Sequence, residues 1–131
     1  MRLVRIMLIS FVALMLAFGA QADIVRSQLT SAIEDREPTD DLANDVVGHS
    51  NTITQVYYFN HLTNMNGKVL QHKWLLDGVE KAVIDLKIGS NNWRTYSSKR
   101  MNDAMQGNWQ VQVWMDGQQL QAHEFTYRLF Q

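Results

Sequence analysis

Between Asn108 and Met115 apolar and polar residues alternate almost one for one, with Trp109, Val111, Val113 and Met115 against Gln110, Gln112 and Trp114. A period of two sends successive side chains to opposite faces of an extended chain, so this run predicts a strand with one dry face and one wet one. Similar patterns predict strands over Ile24–Ile33, Thr52–His61, Lys68–Leu76, Val79–Ile88, Asn92–Arg100 and Leu120–Phe130. The expected inward sets are Val25, Leu29 and Ile33 in the first of these and Ile53, Tyr57 and Phe59 in the second. They continue with Leu70, His72, Trp74 and Leu76, then Ala82, Ile84, Leu86 and Ile88, and finally Phe125, Tyr127 and Leu129.

Asp77-Gly78 and Asp116-Gly117 are strong two-residue hairpin signals, and Gly67 suits a turn position with positive φ. The acidic run from Glu34 to Asp41 surrounds the only proline, Pro38, which lacks an N–H for a ladder and restricts Glu37 before it. The first strand is therefore expected to end there. A polar connection then runs to Asn51, with room for one helical turn between Leu42 and Val47. About seven short strands with no long amphipathic helix predict an all-β fold, an immunoglobulin-like antiparallel β-sandwich.

The N-terminus reads differently. Arg2 and Arg5 precede an apolar run from Ile6 to Phe18, and Ala20-Gln21-Ala22 offers small residues where a signal peptidase reads them. Residues 1–22 are expected to be a signal peptide cleaved between Ala22 and Asp23, leaving 109 of the 131 residues as a single β-sandwich domain, 23–131, without a membrane span. Loss of Arg2 and Arg5 takes the balance from 12 basic against 13 acidic residues to 10 against 13, a formal charge of −3. That sign gives no reason to expect nucleic acid as a partner. The chain has no cysteine, which excludes disulfides, thiolate catalysis and Cys-based metal sites.

Five short motifs occur in order: Arg36-Glu37-Pro38, Tyr58-Phe59, His72-Lys73-Trp74, Trp93-Arg94 with Ser97-Ser98-Lys99, and Gly107-Asn108-Trp109-Gln110-Val111 followed by Asp116-Gly117. Together they resemble an uncharacterised bacterial family, domain of unknown function 2914, across nearly the whole mature chain. The resemblance implies an exported bacterial β domain, tilts towards a Gram-negative cell, and implies no activity.

Candidate chemistry is sparse. Ser97 and Lys99 share one side of a strand, but a lysine must be desolvated to act as a base, and Lys99 is expected in water beside Arg100. The acidic residues from Glu34 to Asp45 do not follow a calcium-loop spacing, and the four histidines have no partners at zinc-ligand spacing. No metal or cofactor is expected. Glu37 is expected to pair with Arg36 or Arg94, and His72 to donate a hydrogen bond from an apolar face it shares with Trp74. Trp114 stands out on a polar face, where an aromatic ring among amides would suit a sugar or a peptide. Candidate ligand-binding residues are thus Arg36, Glu37, His72, Trp74, Arg94 and Trp114.

These features point to a non-catalytic exported binding or interaction domain of the bacterial cell envelope, most simply periplasmic, with an envelope protein or a glycan as partner. The alternative is an envelope hydrolase or lyase using His72, Ser97 and Glu37. That alternative needs the three side chains to converge in a concave pocket. A protein partner would call for an apolar patch or a long unpaired edge strand, and a glycan for a shallow groove with an aromatic floor.

Overall fold

A computed structural model describes residues 21–131. Of the proposed leader, residues 1–22, the first 20 lie outside the described residues. The strands are β1 (Asp23–Thr30), β2 (Ile33–Glu34), β3 (Glu37–Pro38), β4 (Asp45–Gly48), β5 (Thr54–Thr63), β6 (Val69–Leu76), β7 (Val79–Lys87), β8 (Asn92–Met101), β9 (Gly107–Met115) and β10 (Gln118–Leu129). They form a three-stranded sheet in the order β1-β5-β8, a five-stranded sheet in the order β4-β10-β9-β6-β7, and the small β2-β3 ladder. The two larger sheets face each other as a β-sandwich, and all seven expected strands are present.

Local chemistry sets the corners. Asp77-Gly78 and Asp116-Gly117 both take positive φ, 48° and 81° in one and 51° and 73° in the other. That is the geometry of a two-residue turn matched to the twist of its strands. Leu76 accordingly pairs with Val79, and Met115 with Gln118. Asn102 caps a single 3-10 turn, Asp103–Met105, through its side chain to the Ala104 N–H.

The core is built from Leu29, Val56, Tyr58 and Leu62 of one sheet and Leu70, Trp74, Trp109, Val111, Val113, Phe125 and Tyr127 of the other, all 3% exposed or less. Two expected faces need correction. In β1 the pairing slips between Ile24 and Arg26, and the intervening Val25 is 49% exposed while Ile24 packs on the core. One extra residue in a strand reverses every side chain beyond it. In β5 the inward residues are Val56, Tyr58, Asn60 and Leu62; Ile53 precedes the strand and is exposed, and Phe59 is buried on the opposite face beneath the Arg26 guanidinium.

The region before Asn51 also differs from expectation. The first strand stops at Thr30, and Ile33 begins the separate β2-β3 hairpin, which turns through Asp35 and Arg36 at positive φ and ends at Pro38. Asp40 fastens this excursion by accepting from the Thr30 and Ser31 hydroxyls and the Ser31 N–H. Burial pushes the Asp40 carboxyl up, but these hydrogen bonds outweigh it and hold the group below its usual value. In place of a helical turn, Asp45–Gly48 forms β4, with Val46 buried, and pairs parallel to the far end of β10. The five-stranded sheet is thus antiparallel except at this edge.

Candidate functional site

Side chains from both sheets meet in the interior as one hydrogen-bonded chain. Trp74 Nε1 donates to Ser97 Oγ at 3.0 Å, and Ser97 Oγ lies 2.5 Å from His72 Nδ1. His72 Nε2 lies 2.6 Å from Asn60 Oδ1, and Asn60 Nδ2 donates to Ser27 Oγ at 2.8 Å. Ser27 Oγ and Tyr58 OH both donate to Gln121 Oε1, each at 2.7 Å. Because the Asn60 amide nitrogen is spent on Ser27, its oxygen must accept from His72, so the proton sits on Nε2 and Nδ1 accepts from Ser97. Burial pushes the His72 pKa down to about 3, and the ring is neutral at physiological pH.

This arrangement places a serine against a histidine, as a hydrolase would, but denies both to solvent. His72, Asn60 and Trp74 are fully buried and Ser97 nearly so. The third partner is an amide rather than a carboxylate, since Glu37 lies across the three-stranded sheet, on its outer face. His72 and Trp74 are therefore corrected from candidate ligand contacts to interior residues: His72 donates its hydrogen bond as expected, but to Asn60.

Trp114 lies half-buried on the outer face of the five-stranded sheet. Its indole N–H donates to Gln112 Oε1 at 2.8 Å, and Lys73 Nζ sits 4.0 Å from the ring centroid. The chain's own ammonium thus occupies the ring face that would stack on a ligand. Trp114 also lies on the opposite face of the five-stranded sheet from His72 and Trp74.

Arg36, Glu37 and Arg94 do come together. The β2-β3 hairpin folds over the outer face of β8, and Glu37 Oε1 pairs with Arg94 Nε at 3.0 Å while its other oxygen contacts Arg26. The expected pair with Arg94 is present. Arg26 is a second partner, and its guanidinium lies 4.9 Å from the Phe59 ring centroid. Arg36 projects from the hairpin turn, exposed and without a side-chain hydrogen bond among the described residues. Next to it opens a cleft of about 400 Å³ lined by Arg36, Asn92, Trp93, Arg94 and Tyr96. Tyr96 is 46% exposed and is braced edge-on by Tyr57, with ring centroids 5.7 Å apart. Asn92 is held by His61, whose Nε2 lies 2.5 Å from Asn92 Oδ1.

The lining combines two guanidiniums and two aromatic rings with no carboxylate. A guanidinium presents a planar fork of donors that matches carboxylate or phosphate. Arg94 and Tyr96 sit at alternate positions of one strand, so a shared face was readable from the period of two. Arg26 also faces outward, as alternation from the buried Leu29 requires, but its contact with Glu37 was not readable because the β2-β3 hairpin that carries Glu37 was not expected.

A larger cleft of about 680 Å³ lies at one end of the five-stranded sheet, lined by residues including Asp77, Asn108, Gln110 and Glu124. Its Asp77 already accepts from the Asn108 N–H at 2.9 Å, and its rings, Trp109 and Phe125, are 2% and 3% exposed. It offers no open aromatic floor. Of the other acidic residues, Asp45 holds Arg128 through two hydrogen bonds of 3.0 Å, and Asp41 accepts from the Ala43 N–H.

Facing sheets of this kind define the immunoglobulin-like class, and solved structures agree. An immunoglobulin-like protein from Pseudomonas aeruginosa superposes with a TM-score of 0.55 at 13% identity, covering 83% of this chain and 98% of the other. The CARDB domain of a Pyrococcus furiosus protein, solved with di-metal ions, gives 0.50 at 7% identity, covering 84% and 96%. At such identities the likeness concerns the fold alone. The family model described as "Protein of unknown function (DUF2914)" matches residues 67–127. The match bears out the resemblance and takes in the motifs from His72 to Gly117, while Arg36-Glu37-Pro38 and Tyr58-Phe59 lie outside it. No curated protein matches the chain. Among the described residues, no helix is long and apolar enough to cross a membrane.

Proposed function

We propose that this protein is a non-catalytic binding domain exported to the bacterial envelope, and that it holds an anionic ligand in the cleft of Arg36, Arg94 and Tyr96. The observation that carries this reading is electrostatic. Arg26 and Arg94 share a single carboxylate, Glu37, while Arg36 has no side-chain partner among the described residues and stands beside an exposed aromatic ring. A carboxylate or phosphate would bridge Arg36 and Arg94, and an apolar or ring face of the same ligand would rest on Tyr96. Export follows from the leader and the family resemblance, and a mature N-terminus at Asp23 in an envelope fraction is its test.

Binding can be followed through the fluorescence of Trp93 and its neighbours. Acidic peptides and uronate-bearing oligosaccharides should bind more tightly than neutral counterparts, and added salt should weaken them. Arg36→Ala and Arg94→Ala should each reduce affinity about tenfold, the scale of a charge-assisted contact. Equal binding of neutral ligands, or affinity unchanged in both variants, would refute the cleft as the site.

A further inference from the structure

The wider sheet overhangs the narrower one, five strands against three. Gln121 of β10 meets Ser27 of β1 and Tyr58 of β5, while His72 and Trp74 of β6 meet Ser97 of β8. The layers therefore stack β1 and β5 towards β10 and β9, and β8 over β6, with no strand above β7. The consequence is visible in burial. Leu70, His72 and Trp74 of β6 are fully buried, yet their direct partners Leu86, Ile84 and Ala82 on β7 are only half-buried. Next to that uncovered strip runs an edge of β8 that is free among the described residues, where β8 pairs only with β5, over ten residues without a bulge. Among the described residues no backbone–backbone hydrogen bond outside the ladders reaches Asn92–Met101.

We infer that an extended acidic segment of a partner protein adds to the edge of β8 as a fourth strand. This rests on the anionic-ligand reading and names its ligand as a peptide. An added strand satisfies the unpaired N–H and C=O groups of β8. Its alternate side chains fall inward over Ala82, Ile84 and Leu86, which calls for apolar residues there. Those between fall outward beside Arg94 and Arg100, the latter end lying farther from Arg36, which calls for aspartate or glutamate. The same charges argue against a second copy of this chain: antiparallel pairing of two β8 strands centred on Ser97 would set Arg94 opposite Arg100, and like charges directly opposed destabilise a sheet.

The probe is a capped peptide alternating valine and glutamate, long enough to span β8, added to the isotope-labelled mature domain. Binding should slow hydrogen exchange at β8 amides and shift the Ile84 and Leu86 methyl resonances. Methylating alternate peptide nitrogens, so that they cannot donate to β8, should weaken binding about tenfold or more. The double variant Arg94→Glu, Arg100→Glu should instead favour a valine–lysine peptide. Binding indifferent to N-methylation would overturn strand addition while leaving the cleft reading intact, as would binding of uronate oligosaccharides but not of the peptide. Failure of both ligand types would remove both readings. A dimer with protected β8 amides in the absence of peptide would show self-pairing and would also overturn the inference.

Discussion

At the scale of single residues the interior decides most. Tyr127 is 1% exposed and its hydroxyl has no hydrogen-bond partner among the described residues. A Cβ at Gly48 would come within 2.3 Å of that oxygen, so the glycine is what leaves room for it. Tyr127→Phe should therefore be neutral or stabilising by about 1 kcal/mol, whereas Gly48→Ala should destabilise by more than that, both read from urea unfolding midpoints. Removing Ser97 has the opposite character to removing the Tyr127 hydroxyl. Ser97→Ala strands the Trp74 N–H and His72 Nδ1 in the core and should cost about 1–3 kcal/mol. The sign of the His72 effect is set by its depressed pKa. In the unfolded chain the ring protonates near its ordinary 6.5, while the folded ring resists until about 3. The unfolded state thus binds the extra proton between these values. Stability is complete above pH 6.5 and falls as pH drops towards 3, by at most about 1.4 kcal/mol per unit from this group. Between pH 6.5 and about 5 most carboxylates stay ionised, so His72→Gln should flatten that part of the curve. An unchanged slope would mean that the ring gains a proton in the folded state.

At the scale of elements, the sequence was legible where alternation ran long and turn chemistry was explicit. β6, β7, β9 and β10 have the inward faces expected of them because Asp-Gly turns pin their register. The errors cluster where a short run or a bulge defeats the period. β4 is four residues long, and its partner lies some eighty positions away in β10, so no local signal distinguished Val46-Val47 in a strand from the same pair in a turn. In β1 a single extra residue turned Val25 outward while Leu29 kept its expected place in the core, and in β5 every residue from Val56 to Leu62 is bulky or aromatic enough to suit either side, apart from Asn60. The candidate site shows the same division. Arg36, Glu37 and Arg94 were legible as a charge cluster, whereas the Arg26 contact depended on an unexpected hairpin, and His72 fell on its expected inward face but was given a ligand role because an interior polar chain has no sequence signature. The bridge itself is testable. Glu37 and both arginines are each around 40% exposed, so Glu37→Gln should change stability by less than about 1 kcal/mol. It should nevertheless tighten anion binding by releasing two guanidiniums, which calorimetric titration would read. Weaker binding in Glu37→Gln would mean that the carboxylate is needed to aim Arg94.

At the scale of the whole molecule, an interior polar chain ties one sheet to the other while one strand of the wider sheet is left uncovered. Ser27, Tyr58, Asn60 and Ser97 come from the narrow sheet, and His72, Trp74 and Gln121 from the wide one, so the layers cannot separate without breaking hydrogen bonds in a dry core. β7 takes no part in this chain and has no fully buried residue, though β6 beside it has three. Local opening requires the loss of few apolar contacts only where burial is incomplete. Hydrogen exchange in the free domain should therefore rank β7 amides well ahead of those in β6 and β9, with a free-energy gap of several kcal/mol. Partner binding on the β8 edge should narrow the gap, because a strand over Ile84 and Leu86 supplies the burial that β7 lacks. If β7 and β6 instead exchange together in the free domain, the outer strand is already held by contacts beyond its ladder, and the uncovered strip loses its significance as a docking surface.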